Sequence, residues 1–415
     1  MSLDVRTHGG DFQSRSVRVF SLCLIAIILS TADQSLFSYA IPGIRSEFNI
    51  DLTIIGYMLS ASFLAASFAV VIIGVLADRF GRKKLLVASL GLSALFVGCH
   101  SIVQSLALLT ILRILGFALG AGLYLVASTM VIETAPNKYR GLVAGTLQIG
   151  YPLGFALSAA VITPFIDTYG WRSAFYPAFI VLWCSPLIYL LLPESGRYED
   201  ASTGLESEHD QDFFFSVKAL FLDHRRPLTL CFLGSFSVSL AIGGTSYFLP
   251  TYLVEEYGYS LSEAGKTVGR SYAIGAIGYL LASSVGQFLM TRRDTLILWV
   301  LLGGSCFFYT VWRAEPNHTL LIGLGITIMF LYGSEAVRMP MIGELFPTHL
   351  RATATGLAGS LAVTLAWLVA PLALPKGVES FGWASSFTFF GIMPLFLSAL
   401  LFRLIPNRSS SSDIE

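Results

Sequence analysis

The sequence predicts an all-α membrane protein of twelve transmembrane helices arranged as two pseudo-symmetric bundles of six, and three observations lead there. Of the 415 residues, 54% are hydrophobic and only 13% charged, with a mean hydropathy of +0.71. Soluble domains carry roughly 25% charged residues, so about half of the usual polar cover is missing, and a bilayer accepts what water would not. Apolar stretches of about 20 residues recur down the chain, each long enough to cross some 30 Å of hydrocarbon as a helix. Finally, three short patterns of the first half return in the second half in the same order.

In chain order, the first six spans read 19–42, 52–76, 84–103, 107–133, 141–165 and 173–192. The second six read 227–253, 265–290, 295–312, 319–341, 353–374 and 383–404. The first run is too long for the apolar core of a signal peptide, lacks a small-x-small cleavage site and contains Asp33, so it reads as a span. Residues 1–18 form a tail, the polar stretch 193–226 a linker between the bundles 19–192 and 227–404, and 405–415 a second tail. With the N-terminus inside, eighteen Lys and Arg fall on the cytoplasmic side. Only Arg45, Arg172, Lys266, Arg313 and Lys376 fall outside, a bias that places both termini in the cytoplasm. Twenty-six basic residues balance 26 acidic ones, so nothing points to nucleic acid. Five cysteines lie in apolar stretches with no metal-ligand spacing and read as packing residues, so no metal site is expected.

The repeat runs at an offset of about 211 residues. Glu133-x-x-Pro136-x-x-x-Arg140 returns as Glu344-x-x-Pro347-x-x-x-Arg351, just before the fifth and eleventh spans. Tyr169-Gly-Trp-Arg-Ser-Ala-Phe175 returns as Phe381-Gly-Trp-Ala-Ser-Ser-Phe387, and Tyr39-x-x-Pro42 as Tyr247-x-x-Pro250. An even number of spans per repeat makes the halves parallel, an arrangement suited to alternating access by two rocking bundles.

The loop after the second span reads Gly74-Val-Leu-Ala-Asp78-Arg79-Phe80-Gly81-Arg82-Lys83-Lys84. Gly74 permits close helix approach. Asp78, at a helix end, can accept hydrogen bonds from a neighbouring helix N-terminus and from arginines such as Arg140, forming a latch in one conformation and not another. The run Arg82 to Lys84 reads equally as a topology anchor. In the second half Gly286 survives but Met290 stands where the aspartate would be, so any latch should be asymmetric.

This loop is similar to the signature of the major facilitator superfamily, G-x-x-x-D-R-x-G-R-[KR]-[KR], complete at every defined position, and the resemblance extends over essentially the whole chain. Arg113 followed by Gly116, Gly120 and Gly122 resembles the family's fourth-helix motif. The two Glu-x-x-Pro-x-x-x-Arg loops and Pro193-Glu-Ser-Gly-Arg197 are similar to those of sugar and organic-acid porters. Gly196 and Tyr198 replace the Pro and Trp of the sugar-porter form, which weakens a specifically sugar reading. The resemblance implies the major facilitator fold. It also implies a cytoplasmic gate of Gly74, Asp78, Arg79, Arg82, Glu133, Arg140, Glu344 and Arg351, and it places helices one, four, seven and ten around a central cavity.

Ionisable groups at membrane depth cost several kcal/mol, so each needs a partner or a water-filled cavity. Asp33 lies in the first span and Arg113 in the fourth. The resemblance implies that they form a proton-coupling pair; a structural ion pair is the plainer alternative. In the tenth span Glu335 and Arg338 share a helical face. Arg338 reads either as the fork that holds a substrate carboxylate or as a bridge to the gate. Gln148 and Tyr151 beside Pro152, Ser246 and Tyr247, and Trp367 are uncharged cavity candidates, although each aromatic reads equally as packing. His100 and His318, near the outer span ends, read as interfacial.

The expected function is secondary active transport, specifically proton symport of a small organic acid, a carboxylate metabolite, by alternating access, with no cofactor beyond the proton gradient. A monomer in the plasma or inner membrane is expected, its partners the lipid bilayer, protons and an anionic solute. Alternatives are a sugar or other polar metabolite, proton-antiport efflux, or a receptor that senses without transporting. No Walker loop, H-E-x-x-H or G-x-S-x-G supports an enzyme.

Overall fold

The computed structural model describes residues 4–135, 140–193, 213–316, 318–347 and 350–406, excepting the side chains of 4–14, 78, 140–142, 213–217 and 352. Most of the expected linker and the end of the C-terminal tail lie outside these residues. Among the described residues every regular element is a helix. Ten segments are long and apolar enough to cross a membrane. The eighth span, Leu261–Gly275 and Ile277–Phe288 on either side of Ala276, is not among them, because its first half carries Glu263, Lys266 and Arg270 and is too polar. The last segment, Thr353–Arg403, is 51 residues long and carries both the eleventh and twelfth crossings. Among the described residues this gives the twelve crossings that hydropathy predicts, and the protein is an integral membrane protein.

Local chemistry explains where the helices begin and stop. Ser105 caps the fourth span by accepting from the Leu108 N–H at 3.4 Å, and Thr291 caps the ninth by accepting from Asp294 at 3.2 Å. Ser260 and Glu263 form a capping box at the start of the eighth, directly after Gly258 ends the seventh in a left-handed turn at φ 67°. Large side chains such as Trp183, 81% exposed, and Leu190 point outward, as lipid-facing residues do.

Three of the spans with candidate residues, the fourth, fifth and seventh, are not continuous helices. The fourth divides at Gly122 between Leu106–Ala121 and Leu123–Thr134. The fifth divides between Arg140–Leu147 and Gly150–Ile162, and the seventh between Arg225–Ser246 and Leu249–Tyr257. Short three-residue turns bridge the gaps, with Tyr151 N–H donating to Gln148 O at 3.0 Å and Phe248 N–H to Thr245 O at 3.1 Å. π-helical turns interrupt the eleventh span at Gly356–Leu361 and the twelfth at Thr388–Ile392. Such interruptions at membrane depth are tolerated where the freed backbone groups find partners within the protein.

The chain groups into two compact units, Met1–Phe37 with Ser62–Glu208, and Ser38–Ala61 with His209–Glu415. In the first unit the paired glycines make close approaches. A Cβ at Gly154 would lie 2.6 Å from the Thr31 side chain, and one at Gly150 2.6 Å from Ile27, so the fifth span packs tightly on the first. In the second unit Ser38 Oγ donates to the Tyr247 carbonyl at 2.7 Å and Ser60 Oγ to the Leu368 carbonyl at 2.8 Å. These bonds, with an ion pair between Arg45 and Glu255, tie residues 38–61 to the seventh and eleventh spans.

The repeat seen in the sequence is also a backbone repeat. Gly170 has φ 74° and ψ 177°, and its counterpart Gly382 has φ 76° and ψ 173°, a region open essentially only to glycine. Each turns the chain so that the following tryptophan, Trp171 or Trp383, is buried. Nothing lies within 4 Å of a Cβ built at Gly170, Gly382 or Gly356, but Gly356 has ordinary helical torsions. Gly170→Ala and Gly382→Ala are therefore expected to cost about 1–3 kcal/mol each through torsional strain alone. Gly356→Ala should instead stabilise by about 0.4–1 kcal/mol, and thermal unfolding of the purified protein compares the three. Equal midpoints for all three would refute the torsional account.

Candidate functional site

In the first unit the structure brings Asp33 and Arg113 into one buried cluster, 2% and 1% exposed. Arg113 sits between the rings of Phe37 and Phe117, 4.5 and 4.8 Å from their centroids. Its Nη1 donates to Gln34, to the backbone oxygen at 3.2 Å and to Oε1 at 3.4 Å. Gln34 Nε2 in turn donates to Ser93 Oγ and to the Gly116 carbonyl at 3.1 Å. Asp33 is within electrostatic reach of Arg113, yet neither of its buried carboxylate oxygens accepts a hydrogen bond. A buried carboxylate without a hydrogen bond is a costly arrangement that a proton relieves.

His100 is not interfacial, as its place near a span end suggested. It is 1% exposed, because the third span closes with a 3-10 turn, Cys99–Ile102, tucked inward. Its ring stacks on Phe175 at 4.9 Å and meets the Phe37 edge at 6.2 Å. Nδ1 lies 2.9 Å from the carbonyls of Phe96 and Val97 and so carries the proton, while buried Nε2 has no partner. His318, by contrast, is exposed. Gln148 and Tyr151 flank the break in the fifth span, and Tyr151 lies 5.6 Å from Tyr124.

In the second unit Arg338 is fully buried and pairs with Glu335 through Nη2. Its Nε and Nη1, and Glu335 Oε1, are buried without partners. An arginine with half of its fork committed and the rest unsatisfied is prepared to accept an anion. Ser246 Oγ and Tyr332 Oη are 3.0 Å apart, and Tyr272 Oη joins them in a three-residue hydroxyl cluster. Tyr247, at the break of the seventh span, meets Trp367 edge-on at 6.1 Å. A void of about 10 Å³ beside Ser246, Tyr272 and Tyr332 has room for one water and no organic solute.

At the end of each bundle that carries the basic loops, an arginine pairs with the glutamate of the repeated Glu-x-x-Pro motif: Arg82 with Glu133 and Arg292 with Glu344. The two pairs match across the repeat, so the arginine–glutamate part of the loop is symmetric although the aspartate of the first loop is absent from the second. The side chains of Asp78 and Arg140 lie outside the described residues. A Cβ at Gly74 would lie 3.2 Å from Leu125, consistent with close approach of the second and fourth spans. Arg79 is exposed, and Arg351 lies against Gly343 with its Nε buried and unpartnered. Sequence reasoning missed Gln34, Tyr272 and Tyr332. The only signal for Gln34 was an amide next to an acid at membrane depth.

Comparison with known proteins matches residues 23–334 to the model of the Major Facilitator Superfamily. The cis,cis-muconate transport protein of Acinetobacter baylyi is 28% identical over 343 residues, covering 81% of this chain and 82% of the relative. The 4-hydroxybenzoate transporter PcaK of Pseudomonas aeruginosa is 26% identical, covering 86% of each. Among solved structures, a D-xylose–proton symporter superposes with a TM-score of 0.74 at 18% identity, over 94% of this chain and 98% of that one. A bacterial homologue of the human lysosomal transporter Spinster does so with a TM-score of 0.69 at 14% identity, over 94% and 95%. At such identities the likeness speaks for the fold alone.

Proposed function

Because this chain belongs to the Major Facilitator Superfamily and is a transporter rather than an enzyme, we propose that it carries a small organic acid in symport with protons. The observation that carries this reading is Arg338, fully buried with two donors unsatisfied. A fork of that kind matches a carboxylate bidentately and matches no sugar hydroxyl as well. Gln148, Tyr151, Ser246, Tyr247 and Trp367 would then contact the rest of the solute. The aromatic faces of Tyr151, Tyr247 and Trp367 suit the planar acids named for the relatives, 4-hydroxybenzoate and cis,cis-muconate. Asp33 would bear the coupled proton. The bundles 19–192 and 227–404 would rock as rigid bodies, with the Arg82–Glu133 and Arg292–Glu344 pairs and Gly74, Asp78, Arg79, Arg140 and Arg351 at the cytoplasmic gate. The monomer would work in the plasma or inner membrane with both termini cytoplasmic, driven by the proton gradient without a bound cofactor.

Reconstituted protein tests this directly. A gradient of one pH unit stores about 1.4 kcal/mol per proton, so one-to-one symport should concentrate the acid about tenfold. Labelled 4-hydroxybenzoate and cis,cis-muconate are followed with an inward gradient, and protein-free liposomes correct for diffusion of the neutral acid. Accumulation above that blank, collapsed by a protonophore and absent for xylose, is the expected result. Accumulation of xylose alone, or acid uptake indifferent to the gradient, would overturn the reading.

A further inference from the structure

We propose that Gln34 is a positioning residue for proton coupling: it holds the Arg113 guanidinium away from the Asp33 carboxylate, so that Asp33 can take a proton while Arg113 keeps a partner. This rests on the reading of Asp33 as the proton-bearing group.

The geometry of the amide is over-determined. Arg113 only donates, so the Gln34 oxygen must face it; the Gly116 carbonyl only accepts, so the Gln34 nitrogen must face that. The backbone oxygen of Gln34 accepts from the same Nη1, which makes this one residue a double acceptor for the guanidinium. A Cβ at Gly120 would lie 2.8 Å from Gln34 Nε2 and 2.9 Å from Ser93 Oγ, so the glycine leaves the room that the amide occupies. Gln34 therefore joins the first, third and fourth spans. Asp33 is the preceding residue, turned about 100° around the helix, and its oxygens accept no hydrogen bond.

A neutral amide suits this task better than a carboxylate. It accepts from Nη1 of Arg113 without cancelling the charge, so the arginine remains available to an ionised Asp33. When Asp33 loses its proton to water, the new negative charge draws Arg113 across from Gln34; when Asp33 is protonated again, Arg113 returns. Among the described residues, the ionisable groups that interact with Arg113 here are Asp33 from the first span and His100 from the third. His100 has Nδ1–H committed to backbone carbonyls and is clamped by Phe175 and Phe37. The second and fifth spans contribute uncharged Phe63 and Ser158, and the approach to the sixth contributes Phe175.

The test needs no transport substrate. The full chain is reconstituted in liposomes and titrated by infrared difference spectroscopy, and the protonated carboxyl band of Asp33 is identified by its loss in Asp33→Asn within each background. Gln34→Leu removes the side-chain acceptor, leaves only the backbone oxygen and so loosens Arg113, whereas Gln34→Glu binds it more tightly. The pH at which the Asp33 band is half-developed should move by about one unit or more, in opposite directions in the two variants. Ser93→Ala, which loosens the amide without touching Arg113, should give a smaller displacement in the sense of Gln34→Leu and serves if that variant does not fold. Displacement in the same direction in both Gln34 variants, no displacement in either, or no Asp33-dependent band in the wild type would overturn the proposal. If the band behaves as expected but neither acid is accumulated in the uptake assay, the substrate assignment fails and the role of Gln34 stands.

Discussion

Asp33→Asn is expected to abolish gradient-driven accumulation of the acid, a loss of the full factor of about ten that a one-unit gradient supports. Exchange of labelled for unlabelled acid at equal pH should survive. Asparagine keeps the shape of the side chain and removes only its ability to carry a proton. Because both oxygens of Asp33 are buried without hydrogen bonds, the substitution breaks none and adds a donor amide at the same place. The measurement is uptake and counterflow by the two proteins in parallel, with equal monodispersity on gel filtration as the folding control. The same gradient dependence in both would remove Asp33 from coupling and direct attention to Glu335, the other carboxylate at membrane depth described here with an unpartnered oxygen.

The sequence exposed the architecture because two kinds of signal accumulate over long windows. Hydropathy summed over twenty residues is insensitive to a single kink, so the twelve spans were found even where the helices divide. The repeat was legible because the turn at Gly170 and Gly382 demands a torsion that only glycine supplies, and the tryptophan after it must be buried. The breaks were not legible for the complementary reason. The gaps after Leu147 and Ser246 are closed by a few local backbone hydrogen bonds that leave no mark in hydropathy, yet they set the direction of Gln148 and Tyr247. His100 was misplaced because distance from a predicted span end stood in for exposure, and the inward 3-10 turn broke that link.

Within the candidate site, charge was easier to locate than partnership. A lone acid or arginine inside an apolar stretch announces itself by its cost, which is how Asp33, Arg113, Glu335 and Arg338 were found. Which of them bond to each other depends on side-chain geometry across helices distant in sequence. Arg338 and Glu335 are three residues apart, and their pairing followed from helical periodicity. Arg113 and Gln34 are 79 residues apart, and only the packing of three spans brings them together. The loop arginines occupy a middle position: the repeated Glu-x-x-Pro motif marked Glu133 and Glu344, while the choice of Arg82 and Arg292 as partners needed the structure.

The largest effect on substrate recognition should come from Arg338, and a double substitution separates recognition from folding. Arg338→Ala alone leaves Glu335 charged and unpaired beside the space that the guanidinium filled. An uncompensated charge at membrane depth costs about 2.5–3.5 kcal/mol on insertion scales, so this variant should express poorly and unfold early. Pairing Arg338→Gln with Glu335→Gln removes both charges together and keeps similar volume, so stability should return most of the way. What the double variant cannot restore is a charge-assisted bond to a carboxylate, worth about 1.5–3 kcal/mol, or roughly 10- to 150-fold in affinity. Equilibrium binding of 4-hydroxybenzoate and cis,cis-muconate to the purified double variant measures that loss, with thermal unfolding alongside. Wild-type affinity in a stable double variant would make Arg338 and Glu335 a structural pair and move the anion site elsewhere. Weakened binding together with recovered stability would mean that the fork of Arg338 recognises the acid and that Glu335 holds the fork in place between substrates.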